Sequence, residues 1–211
     1  MKTGTSRGVT IIELTIVLVI ISILTSISLG IYTNHVRQAE IVKAKLRIKE
    51  LELAVTRYEV DLGVFPPSYS KSSGVATSGT TTTNPGCGYL ILALMRSMNN
   101  DPLNPSSTRW TGPYINVEQN ELMDTATGGP VTSATDPANV SLKDPWGRPY
   151  NYVRCTDYAT APEATKQVNT PFTGYYNPTT VQIYSVGPNG STSASPERGL
   201  DTDDINNFNN V

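Results

Sequence analysis

The residues with the most chemistry in them lie toward the two ends of the chain. Asp201, Asp203 and Asp204 put three carboxylates within four positions. At that spacing they repel one another unless they are solvated or bridged by a cation, and oxygen ligands next to Gly and Asn turns (Gly187, Asn189, Gly190) suit Ca2+. The loop is not an EF-hand: counted from Asp201, the sixth position is Asn206 and the twelfth falls beyond Val211. At the other end Glu13 is the single charge between Val9 and Tyr32. A carboxylate in an apolar span costs roughly 2.5–3.5 kcal/mol at the bilayer centre and less near an end, so it either snorkels to the interface or takes a partner. A cut between Gly8 and Val9 would create an α-ammonium four residues from Glu13, able to pair with it within one subunit or between neighbours. The sole histidine, His35, lies far along the chain from the C-terminal part. No Ser/His/Asp or Cys/His set can be assembled there, and the Gly-rich pieces lack phosphate-loop or dinucleotide spacing, so the chain is not expected to be an enzyme.

Composition sets the outer limits. Of 211 residues, 38% are hydrophobic and 16% charged, with 16 Lys+Arg against 18 Asp+Glu. That balance is wrong for a basic nucleic-acid binder. One His and two Cys are too few for a Cys/His zinc site or a disulfide-dense miniature fold.

Two long helical patterns and a loop-rich remainder must position these groups. Residues 9–36 read as a transmembrane helix, since the run from Val9 to Tyr32 would extend about 36 Å against roughly 30 Å of hydrocarbon. Lys2 and Arg7 before it place the start of the chain on the cytoplasmic side and the bulk outside. Residues 37–62 continue as an amphipathic helix with Ile41, Ala44, Ile48, Leu51, Val55, Tyr58 and Leu62 on one face, stopped by Gly63 and Phe65-Pro66-Pro67. Residues 63–211 form a head. Within it 70–86 read as an exposed loop, Cys87–Met95 as a short packed helix, and 99–137 as irregular connections with Trp110 and Tyr114 as anchors. Tyr150–Val153 and Val181–Val186 alternate as strands of a small antiparallel sheet, whose inner face is expected on the Ile41–Leu62 stripe. Cys87 and Cys155 then lie on the oxidising side. They either bridge, closing a loop of about 69 residues for roughly 4 kcal/mol, or remain two free thiols.

Gly8-Val9-Thr10-Ile11-Ile12-Glu13 and the apolar span after it closely resemble the class III leader junction of type IV pilins and type II secretion pseudopilins. The resemblance implies a leader over 1–8, cleavage between Gly8 and Val9 by a prepilin peptidase, N-methylation of Val9, and a role for Glu13 in filament assembly. The DPWGRPY segment, the YNYV strand and the order SVGPNG then DTDDI resemble the major pseudopilin, in which the last loop holds a calcium ion. That implies Ca2+ ligands among Asn189, Asp201, Asp203 and Asp204, with a carbonyl near Val186. The implied fold is α+β and type IV pilin-like: a long N-terminal helix, transmembrane and then amphipathic, packed on a small antiparallel sheet. The implied function is a structural subunit that self-associates into a helical pseudopilus filament driving export across the outer membrane; the alternative is a type IV pilin of a surface fibre for adhesion or motility. Implied partners are the membrane, minor pseudopilins or pilins, an inner-membrane assembly platform and the prepilin peptidase. The implied location is the bacterial inner membrane, with the head in the periplasm before assembly into a periplasmic or surface filament.

Overall fold

A computed structural model describes residues 8–68, 87–95, 109–125, 127–132, 139–159, 174–192 and 203–208, without the side chains of 27–31. The 1–7 part of the expected leader, the 70–86 loop and Asp201 lie outside the described residues. The chain divides into two compact units, Met1–Glu40 and Ile41–Val211.

Helix α1 runs from Ile11 to Leu62. In the second unit its predicted stripe is buried: Ala44, Ile48, Leu51, Val55 and Tyr58 are at most 1% exposed, Ala54 joins them, and Ile41 and Leu62 pack at the ends. The helix stops where the sequence expects. Gly63 takes φ +77° and its N–H donates to the Glu59 carbonyl at 2.7 Å, the left-handed cap that glycine adopts without a Cβ penalty.

Helix α2, Cys87–Met95, buries Leu90, Ile91, Ala93 and Leu94 against this core. Its last carbonyls are capped by the two aromatic anchors: the Trp110 indole donates to the Ala93 carbonyl at 3.1 Å and the Tyr114 N–H to that of Leu94 at 2.9 Å. Tyr114 also meets Tyr58 edge to face, and its hydroxyl donates to Asp61 Oδ2 at 2.7 Å, joined there by the Thr111 hydroxyl. These two hydrogen bonds hold the Asp61 carboxyl below its usual range.

The strands are β1 Leu122–Asp124, β2 Val140–Leu142, β3 Asn151–Arg154, β4 Val181–Ser185 and β5 Ile205–Asn206. β1 pairs antiparallel with β2, while β3, β4 and β5 form a three-stranded antiparallel sheet in that order. β1 falls inside the 99–137 stretch expected to be irregular, correcting that expectation, and β2 lies just beyond it. Three residues each, they pair Leu122 with Leu142 across twenty positions, a non-local contact that no local alternation announces. The 3-10 turn before β1 is tied to α1 by Arg47, whose guanidinium reaches Glu121 at 2.7 Å and Glu50 at 2.6 Å.

β3 and β4 match the two predicted strands, but both their faces are covered rather than one. Tyr152 and Ile183 join the α1 core; Val153 packs on the opposite side with Tyr158, Cys155 and Tyr175. Gln182, also buried, donates to the Tyr176 carbonyl at 2.7 Å. The segments after β3 and before β4 therefore form a second layer. Of the two alternatives left open for Cys87 and Cys155, the structure has them as free thiols packed with different hydrophobic clusters. Full burial pushes the Cys87 thiol up to about 11.

Candidate functional site

Two places collect the residues singled out by sequence. The first is the start of α1. Thr10 is the residue before the first helical turn and Glu13 is the third within it. The Glu13 carboxylate accepts the Thr10 backbone N–H at 2.9 Å and its hydroxyl at 3.0 Å, while the Glu13 N–H donates back to Thr10 Oγ1 at 3.3 Å. This is a reciprocal capping box, satisfying donors that a helix start leaves without intrahelical partners. Thr10 was missed by sequence reasoning although the Thr-x-x-Glu spacing was legible; the charge in an apolar run drew attention to Glu13 alone. Gly8 and Val9 precede the cap in exposed, irregular backbone.

From Val9 to Leu24 twelve large apolar side chains are at least half exposed. The hydroxyls among them turn back on their own helix: Thr15 donates to the Ile11 carbonyl at 2.6 Å, Ser22 to Leu18 at 2.7 Å and Thr25 to Ile21 at 2.7 Å. Such hydroxyls ask nothing of solvent, which suits a helix meant for apolar surroundings. The expected span over 9–36 includes 27–31, whose side chains are not described; among the described residues no helix is long and apolar enough to cross a membrane.

The second place is the C-terminal loop. Asp144, in the Asp-Pro-Trp-Gly-Arg turn, is buried; its Oδ1 accepts the N–H of Trp146 at 3.0 Å and of Arg148 at 2.8 Å. That turn aims the Arg148 guanidinium across at the loop after β4, where it donates to the Gly187 carbonyl at 2.6 Å and the Pro188 carbonyl at 3.2 Å. Gly190, at φ +77°, lies so close that a Cβ would sit 2.4 Å from the guanidinium carbon. Across the loop, Asp203 Oδ2 accepts the Asn189 N–H at 2.9 Å and Oδ1 its side-chain amide at 2.6 Å, while Asn189 Oδ1 accepts the Ser191 N–H at 2.7 Å.

The structure thus brings Asn189 and Asp203 together, as expected, but with each other as partners. Asp204 lies next to them in the chain with a buried Oδ1, and Val186 is half-buried. Among the described residues Asp203 faces amide donors on both oxygens, the Gly187 and Pro188 carbonyls take the Arg148 guanidinium, and no group of three His, Cys, Asp or Glu able to hold a metal occurs; Asp201, the remaining expected ligand, lies outside them. Arg148 was not foreseen, because nothing local in DPWGRPY says which distant carbonyls its side chain will reach.

No family model matches the chain. It is similar to the type IV major pilin protein of Neisseria gonorrhoeae, 35% identical over 74 residues, which is 35% of this chain and 44% of the relative. It is also similar to fimbrial proteins of two Neisseria meningitidis strains, each 38% identical over 72 residues. The chain thus spans less than half the length of the curated relatives it matches. The fold is type IV pilin-like. A long N-terminal helix with small antiparallel sheets and similarity to major pilins support placement in that superfamily, without separating a pseudopilin from a pilin.

Proposed function

We propose that this chain is a non-enzymatic structural subunit of a type IV pilus-like filament, held by α1 in a bacterial inner membrane, head in the periplasm, until it assembles. The observation that carries the reading is the exposed apolar start of α1, with its hydroxyls satisfied on their own backbone and one carboxylate at its tip. Such a surface is stable in lipid or against copies of itself, and extraction from one into the other exchanges apolar surroundings for apolar surroundings. Cleavage after Gly8 would place the Val9 ammonium beside a Glu13 now held by Thr10, and in the filament Glu13 of one subunit would meet that ammonium on another. A prepilin peptidase, minor subunits and an assembly platform are the partners this requires.

Two filaments fit. The resemblance of DPWGRPY and the acidic C-terminus to the major pseudopilin supports a type II secretion pseudopilus; the pilin and fimbrial relatives support a surface fibre. Calcium at the C-terminal loop remains a proposal resting on Asp201: a calcium-dependent rise in melting temperature of the full chain, lost in Asp201→Ala, supports it, and no rise refutes it.

The mature N-terminal mass tests the central reading. A species beginning at Val9, with a methyl group, is expected in membranes containing an active prepilin peptidase, and intact Met1 there overturns it. Electron microscopy then separates long surface fibres from short periplasmic ones, and Glu13→Ala is expected to abolish both.

A further inference from the structure

The face of α1 turned away from the head within the second unit carries a pattern that the fold leaves unused. Val42, Leu46, Leu53 and Val60 are 52%, 66%, 53% and 78% exposed. Leu46, Leu53 and Val60 recur every seventh residue, and Val42 precedes Leu46 by four. This is the spacing of a helix–helix seam, with the polar Lys49 and Thr56 between. The buried residues Ala44, Leu51 and Tyr58 lie on the opposite side of the same turns, so the described part of the head packs away from the seam.

Charges flank it on both sides: Lys43, Glu50 and Arg57 along one edge, Lys45, Glu52 and Glu59 along the other. Packing two copies parallel and unstaggered sets each residue of the second edge against the residue five positions on in the first edge of its neighbour. Lys45 then meets Glu50 and Glu52 meets Arg57, and the two-fold symmetry repeats both pairs with no like charges opposed. Sliding one copy by seven residues opposes Lys45 to Arg57, Lys45 to Lys43, and Glu52 to Glu50, leaving Glu59 with Arg57 as the one attraction. An antiparallel copy centred on the same stretch opposes Lys43 to Arg57, Glu50 to itself and Glu52 to itself, with Lys45 to Glu59 as its one kind of attraction. Of the present partners of these groups, Lys49 with Glu52 is a surface pair that a neighbour can exchange or extend, whereas Arg47, 14% exposed and shared with Glu121, holds Glu50 from the head side, and Glu52 also accepts the Asn207 amide at 3.4 Å.

We propose that this face is a self-association seam through which two copies of the chain pair in parallel and in register. Lys49 and Thr56 keep the seam weak, so pairing needs the raised local concentration of chains confined to one surface. The seam does not rest on polymerisation.

The test uses the full chain in membranes of a host without filament machinery, so that its outcome is separate from filament formation, which microscopy reads elsewhere. With Cys155→Ser to remove the accessible native thiol, Leu53→Cys is oxidised with copper phenanthroline. It is compared with co-expressed, differently tagged Leu46→Cys and Leu53→Cys copies. Expected are a Leu53→Cys homodimer in about tenfold excess over the mixed dimer, a roughly tenfold loss on adding Glu50→Lys, and recovery when Lys45→Glu is combined with it. Absence of the homodimer, a mixed dimer of equal or greater yield, or indifference to the charge reversal overturns the proposal.

Discussion

The Ser185 hydroxyl donates to Asp144 Oδ2 at 2.6 Å, joining the last residue of β4 to the turn that follows β2, with both side chains buried. Ser185 Oγ in turn accepts the Gly187 N–H at 3.2 Å. With the two N–H bonds on Oδ1, one carboxylate organises both halves of the C-terminal loop. Asp144→Ala strands several buried donors together and is expected to cost about 3–5 kcal/mol in chemical denaturation of the detergent-solubilised chain. Ser185→Ala is expected to cost less, about 1–2 kcal/mol.

Arg148 and Gly190 should behave as one unit. Removing the guanidinium in Arg148→Ala frees two loop carbonyls, and Gly190→Ala pushes a methyl into the space the guanidinium fills while also straining a positive φ. Each change alone is expected to lower the melting temperature. The double variant should lose clearly less than the sum, because the methyl no longer has a guanidinium to displace. Strict additivity would refute the contact.

Asp61 makes the docking of α1 sensitive to acid. Its carboxyl is held low by Thr111 and Tyr114, so its contribution is fully present above the ordinary value of about 3.9 and is lost as pH falls through the lower folded value. Melting temperature measured from about pH 6 downward, through and below the ordinary carboxylate range, should fall less steeply in Asp61→Asn than in the native chain. Equal slopes would show that the carboxylate does not contribute.

The two thiols should differ in reactivity. Burial pushes the Cys87 thiol up to about 11, whereas Cys155 is partly exposed. Alkylation of the native chain at neutral pH is expected to label Cys155 alone, and both after denaturation. A disulfide-linked peptide pair in non-reducing mass mapping would contradict the free-thiol structure.

The buried stripe of α1, its glycine stop, α2 with its aromatic anchors, and strands β3 and β4 were legible because each is written in a local period or a local stop signal. β1 and β2 were not, since Leu122 and Leu142 find one another only through the fold. The second layer over Val153 was hidden for the same reason, being built from Tyr158 and Tyr175 on either side of a long connection. At the site, the grouping of Asn189 with Asp203 was readable from the turn and the acidic run. Their direct amide–carboxylate pairing and the reach of Arg148 were not, because side-chain direction depends on tertiary geometry.

The segment just past Gly63 bears on how the edge of the three-stranded sheet is finished. The Tyr152 hydroxyl donates to the Pro66 carbonyl at 2.8 Å, and Ser68 Oγ accepts the Arg154 N–H at 2.9 Å, so this stretch lies along the outer edge of β3. An open strand edge is a template on which any identical edge can zip, and proline offers no donor to extend it. Ser68 covers the outward Arg154 N–H, and the prolines beside it offer no donor of their own, so this side of β3 is a poor template for a further strand.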